Sequence, residues 1–333
     1  MCYDSQTNVK QWNKKEIRKN TGKLVRGVLI YELIMFVTII ADITRRIIIC
    51  SRNADFNIDT LLDEALKSGT SSIISVFLGL IFLFIYFRKS DGLKPVFNSG
   101  ENMTVRSFLI LLTVFMSAQA AFSLLGGGME LGFNQFGYSI MGEIEDASSN
   151  SSTVSMLLYA SFIGPVSEEI IFRGFVMRGF EKYGARYAVV MSAVIFGLFH
   201  GNLIQSIFAG LVGLVLGYTA MKYSIKWAVL LHIINNFVFG DLLTRLLSGM
   251  NESMQSIVLY GIEGAFLAGT VVLMLMNKTE IRVKMKEIKI DRELLGVTFS
   301  SIWLLIFIAF QLFQGISGIE KLPVSSASVI YCI

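Results

Sequence analysis

The sequence predicts an all-α, polytopic transmembrane helical bundle of about eight to nine membrane-spanning helices, and three observations carry that prediction. Hydrophobic residues make up 53% of the chain, charged residues only 16%, and the mean hydropathy is +0.62, too apolar for an ordinary soluble domain. The apolar residues fall in runs of spanning length. The lysines and arginines gather in alternate loops between those runs.

A spanning helix needs about 20 mostly apolar residues. Nine segments meet or approach that length: 25–43, 71–87, 107–125, 155–178, 186–201, 203–221, 226–245, 256–276 and 294–315. The fifth is short for a span. Five stretches are basic: the N-terminus (Lys10 to Lys23), Arg88 to Arg106, Arg178 to Arg186, Lys222 to Lys226, and Lys278 to Arg292. They alternate with 126–152, which has no Lys or Arg, with a tight turn at Gly201-Asn202, and with 246–255. The positive-inside rule then predicts an inside N-terminus and an outside C-terminus. The loop 44–70 fits less well, since Arg45, Arg46, Arg52 and Lys67 sit there against Asp55, Asp59, Asp63 and Glu64. Gly126 to Gly128 and Ser148 to Ser152 read as flexible outer-loop sequence, and Gly213 with Gly217 as a close-packing helix face.

The net charge of +4 resides in these loops and reads as a topology signal, so no nucleic-acid partner is implied. Lys278 to Arg292 also suits contact with anionic membrane lipid. The polar, basic first 23 residues lack a cleavage site after a short apolar run, so the first apolar segment is expected to be a retained anchor. Cys2, Cys50 and Cys332 form neither a disulfide framework nor a metal motif, and Cys332 is misplaced for a prenylation box.

Within this apolar chain, Ser161 to Gly174 places Glu168, Glu169 and Arg173 in a single segment. Facing lipid, the three would together cost on the order of 9 kcal/mol, so they face protein or water. Both histidines of the chain, His200 and His232, also lie inside apolar segments. A single membrane histidine is commonly a packing or hydrogen-bonding residue; beside a buried Glu-Glu-Arg cluster that reading weakens. Glu169 and Arg173 are four residues apart and can pair, leaving Glu168 free. His232 and Asn236 share the same spacing, with Asn235 as a rival, and Phe196 lies one turn before His200. At about 1.5 Å per residue from the basic boundaries, Glu168 lies about 15 Å deep, His200 about 21 Å, and His232 and Asn236 about 9 and 15 Å. One shared polar site is feasible. Pro165 and Gly164 predict a kink just before Glu168, either an ordinary membrane kink or an entry for water. Glu32, Asp42, Gln119 and Glu263 read as structural partners or helix-end residues.

Glu168-Glu169-x-x-x-Arg173, Phe196-x-x-x-His200 and His232-x-x-x-Asn236, in that order, resemble the three-motif signature of the CAAX prenyl protease and bacteriocin-processing (CPBP) family of intramembrane endopeptidases. The resemblance spans about 153–245. It divides one integral-membrane domain into N-terminal helices and loops (1–152), a catalytic core (153–245) and C-terminal helices (246–333). It implies that Glu168 and His200 activate water, that His232 and Asn236 stabilise the oxyanion, and that Arg173 orients the glutamates, Glu169 included. Peptide hydrolysis needs just such a base and donors, and no serine or cysteine nucleophile motif is present; Ser167 has none. A zinc ion on Glu168, His200 and His232 is chemically possible, but a metal-free pair suffices and the chain has no His-Glu-x-x-His, so the reading favours no obligatory metal.

The resemblance and the short inner loops suggest a hydrophobic or lipid-anchored peptide or protein substrate, in a bacterial cytoplasmic membrane. Two other functions stand beside the protease. One is a bacteriocin self-immunity protein of the same fold. The other is a transporter or proton relay, for which the expected inverted repeats are not seen.

Overall fold

The computed structural model describes residues 13–52, 56–89, 100–148, 151–287 and 291–322. The helices are α1 (Lys14–Cys50), α2 (Ile58–Lys67), α3 (Thr70–Phe87), α4 (Val105–Asn134), α5 (Met141–Ser148), α6 (Val154–Glu181), α7 (Ala185–Phe199), α8 (Leu203–Lys222), α9 (Ile225–Leu247), α10 (Glu252–Met276), α11 (Lys278–Glu287), α12 (Arg292–Phe299) and α13 (Ile302–Ser317). Two-residue strands, β1 (Tyr138–Ser139) and β2 (Glu320–Lys321), pair antiparallel and tie the end of α4 to the end of α13. Among the described residues seven helices are long and apolar enough to cross a membrane. An eighth span results if α12 and α13, bent by 72° at Ser300-Ser301, are taken as one. The all-α bundle is as expected, and the chain is an integral membrane protein. The short fifth segment is α7, 15 residues, below spanning length.

Several boundaries differ from the sequence expectation. α1 starts at Lys14 and runs 37 residues, about 55 Å at 1.5 Å per residue, so it overshoots a hydrocarbon core of about 30 Å. The loop 44–70 holds the last turns of α1 and the whole of α2. Gly126 to Gly128 are not loop but lie inside α4. Where water does not replace lost backbone hydrogen bonds, the helix is the way to satisfy them, and that outweighs the low helix propensity of glycine. Ser148 ends α5 and Ser151 is buried and bonded, so this stretch is not a flexible loop at those positions; 149–150 lie outside the described residues. Cys2 and Cys332 also lie outside them, and Cys50 is a free thiol.

The core forms where α1, α6, α7, α8, α9 and α13 meet, around Phe172, Phe180, Phe196, Leu216, Leu231 and Phe307, while Val37, Ile40, Phe77, Ile81 and Ile85 point outward. Outward apolar faces are what lipid requires, so close packing rather than water exclusion holds the helices together. α7 and α8 show it best. A Cβ on Gly197 would sit 2.6 Å from the Ser206 carbonyl oxygen, and one on Gly213 would sit 3.1 Å from the Phe196 ring. Gly217 faces Val189 in the same seam. The turn between α7 and α8 depends on Gly201, whose φ of +59° suits glycine, and on Asn202, which caps α8 by accepting from Gln205 N–H.

Candidate active site

α6 is not a uniform α-helix. Two π turns, Tyr159–Ile163 and Ile170–Val176, flank the short α segment Gly164–Glu169. Pro165, at the start of that segment, has no N–H to donate, and the expected kink takes the form of this widened backbone. Ser192 of α7 donates to the Phe172 carbonyl at 2.7 Å, satisfying a group in the second π turn. A third π turn, Ile234–Leu242, starts two residues after His232 in α9. The three π turns therefore lie around the motif residues, as π turns often do at functional sites.

The core of the cluster is Glu169. Arg173 Nη1 donates to its Oε1 at 2.9 Å, and His232 Nδ1 meets the same oxygen at 3.0 Å. Glu169 and Arg173 are fully buried and His232 nearly so. The Glu169–Arg173 pair is the one the spacing predicted; the bond to His232 was not foreseen. Arg173 also reaches the Gly213 carbonyl at 3.4 Å, with its guanidinium 4.2 Å from the centre of the Phe196 ring.

Phe196 packs against more than its expected partner. Its ring makes edge contacts with His200 at 4.9 Å and with His232 at 6.0 Å, so one side chain orients both imidazoles and the arginine. Glu168 lies at the margin of the cluster. Its side chain is 22% exposed and its Oε2 is 3.7 Å from His232 Nε2. Glu168 and His232 both lie close enough to His200 to act on its charge. Four of the predicted residues on α6 and α9, with His200, thus share one place.

The ring nitrogens can be assigned from chemistry. His200 Nδ1 is 2.9 Å from the Phe196 carbonyl, which can only accept, so Nδ1 carries the proton. His232 Nδ1 donates to the Glu169 carboxylate in the same way. In their neutral forms both histidines therefore present Nε2 as an acceptor.

Asn236, expected to point with His232, is the third residue of the π turn and is held by amide and carbonyl partners. Its Nδ2 donates to the Ala160 carbonyl at 3.0 Å and its Oδ1 accepts from Asn235, whose own Oδ1 accepts from Gln119 at 2.7 Å. This amide chain runs from α4 through α9 to α6, and gives the rival Asn235 and the outlying Gln119 structural roles.

Sequence reasoning passed over Asp241 and Tyr31. Asp241 is buried and accepts from Ser151 and Ser161; the argument that singled out Glu168, a charge in an apolar segment, applies to it equally. Tyr31 of α1 is buried beside Ser167 and packs on Phe199 at 6.2 Å. No signal in the sequence marks it. The other membrane carboxylates keep structural partners: Glu32 has Gln311 and Gln314, Asp42 has Arg45, Arg46 and Ser71, and Glu263 has Ser123.

Among the described residues no three His, Cys, Asp or Glu side chains are arranged to hold a metal ion. Glu168, His200 and His232 offer a suitable donor set but not that convergence, and no chemical step below runs through a metal.

No curated protein and no solved structure matches the chain. The segment 150–238, which holds both glutamates, Arg173, both histidines and Asn236, matches the family model of the type II CAAX prenyl endopeptidase Rce1-like proteins, in agreement with the resemblance read from the three motifs.

Proposed function

We propose that the chain is an intramembrane endopeptidase that hydrolyses a peptide bond in a hydrophobic or lipid-anchored peptide, with its N-terminus on the cytoplasmic face of a bacterial membrane. One observation carries the reading. Of the two adjacent carboxylates, Glu169 is fully buried and committed to Arg173 and His232, while Glu168 is partly open beside His232.

In this scheme Glu168 is the base. It takes a proton from water as the water oxygen bonds to the scissile carbonyl carbon. His200 Nε2 accepts the second water proton as a hydrogen bond and fixes the angle of attack. His232, in its protonated form, donates from Nε2 to the oxyanion, and the Asn236 N–H left over from Ala160 is a second donor. As the C–N bond breaks, Glu168 returns the proton to the departing amine. Arg173 and Glu169 hold His232 in place.

The substrate class is suggested by an open hollow of about 200 Å³ on the outward side of α3 and α6, lined by Val76, Phe77, Leu80, Phe162, Val166 and Ser167. It is apolar, and it ends at the residue before Glu168. An aliphatic or prenyl chain suits such a surface better than a polar peptide.

The test compares peptides from membranes of cells bearing the wild-type protein or Glu168→Gln at equal expression. A fragment present only with the wild type is expected. Identical peptide sets would overturn the reading and return the field to an immunity protein or a proton relay. Adding a chelator to the purified protein tests the metal-free scheme, in which cleavage persists; loss of cleavage that zinc restores would sink it.

A further inference from the structure

Two of the three π turns face each other, Tyr159–Ile163 in α6 and Ile234–Leu242 in α9, and three side-chain ties join them. Asn236 Nδ2 bonds the Ala160 carbonyl at 3.0 Å, the rings of Phe162 and Phe237 meet at 4.9 Å, and Ser161 Oγ donates to Asp241 Oδ2 at 2.5 Å. Asp241 also accepts from Ser151 N–H at Oδ1 and from Ser151 Oγ at Oδ2, each at 3.1 Å. Arg245 donates to the Ser151 carbonyl at 2.5 Å and lies 4.0 Å from Asp241 Oδ1. Asp241 thus accepts from Ser151 and Ser161 and pairs with Arg245. The hydrolytic scheme makes no use of it, although a buried charge in a membrane bundle is expensive to retain.

A π turn is one surplus residue in an α-helix, and such turns occur frequently at functional sites. Moving it past a residue turns that side chain by about 100° around the axis, the angle per residue of an α-helix. His232 stands two residues before one π turn, and Glu168 and Glu169 stand between the other two. A shift toward His232 would swing the imidazole off Glu169; a shift toward Glu168 would swing the base away from His232.

We propose that Asp241 is a positioning residue of the hydrolytic site. By clamping Ser161 it holds the two facing π turns in register, and so fixes His232 against Glu168 and Glu169. The proposal rests on the protease reading above, because it assigns Asp241 a part in that reaction.

The chain has only two histidines, so protein labelled with ¹⁵N in histidine shows two ring systems, and His200→Gln assigns them. In the full-length protein in lipid nanodiscs, Asp241→Ala and Ser161→Ala are expected to move the His232 ring resonances and leave those of His200 in place. With the peptide found in the membrane comparison, both should lower kcat about 10- to 100-fold, the scale of a misplacement of about 1 Å, with KM within about twofold. Asp241→Asn keeps an acceptor for Ser151 N–H and meets two hydroxyls that can accept, so it should recover kcat to within about threefold of wild type. Should Asp241→Ala fail to fold, Ser161→Ala, which removes one oxygen, decides alone. Unmoved His232 resonances in a folded variant would overturn the proposal, whatever the rate. If the wild type cleaves nothing, the protease reading fails by itself, and the resonances still decide whether Asp241 positions His232.

Discussion

Two buried carboxylates in this bundle can be set side by side. Glu32 of α1 receives both its oxygens' bonds from Gln311 Nε2, at 3.0 and 2.8 Å, and a further one from Gln314 Nε2 at 3.3 Å; Gln314 in turn donates to Gln311 Oε1. Glu169 of α6 receives Arg173 and His232 on one oxygen, while its Oε2 and Arg173 Nε are buried without a bond from another protein group. The first cluster is closed and satisfied by neutral amides. The second is ionic and bordered by the partly exposed Glu168. The Glu32 cluster is explained by packing α1 on α13, whereas the Glu169 pair also holds His232 beside Glu168.

That contrast can be broken at four points. Glu168→Gln should lower turnover by about 10² to 10⁴, the usual contribution of a general base, with unchanged thermal unfolding in detergent; an equal loss of turnover in Glu32→Gln would erase the distinction between the clusters. Arg173→Met leaves Glu169 with only His232, and breaking a buried pair costs about 3 to 5 kcal/mol, so the unfolding midpoint should fall steeply together with activity. Gln311→Leu takes two bonds from Glu32 and should cost about 1 to 3 kcal/mol, while kcat per folded molecule stays at the wild-type value; a parallel loss of kcat would make the Glu32 cluster part of the site. Gly201→Ala forces a side chain into a left-handed conformation, costing roughly 1 to 2 kcal/mol. There its Cβ would lie 3.2 Å from Gln311 Oε1. This should be the smallest loss of stability among the three destabilising variants, read by chemical denaturation, accompanied by a modest fall in turnover because His200 is the preceding residue.

Much of this was legible from residue type and order. Hydropathy and loop charge sufficed for an all-α membrane bundle, and the cost of charge in lipid sufficed to single out Glu168, Glu169 and Arg173. The Glu169–Arg173 pair followed from four-residue spacing even though Arg173 is the fourth residue of its π turn. The amide chain that ties Asn236 to Ala160, Asn235 and Gln119 was not legible, and nothing in the local sequence announces a π turn. Gly126 to Gly128 were misjudged because loop statistics from water do not hold in lipid. The Glu32–Gln311–Gln314 cluster and the clamp of Asp241 on Ser151 and Ser161 join residues 279, 282, 90 and 80 positions apart, beyond the reach of any periodicity.

By itself the sequence determined that the chain lives in a membrane, which helices carry charge into it, and which six side chains are candidates for one site, since transfer cost and helical period are local properties. Only the tertiary structure decided that Glu169 supports His232 as well as Arg173, that Phe196 orients two imidazoles, and that Glu168 is the carboxylate left open. Those outcomes depend on where three helices cross and where their backbones widen, and crossing and widening are set by packing between residues far apart in the chain.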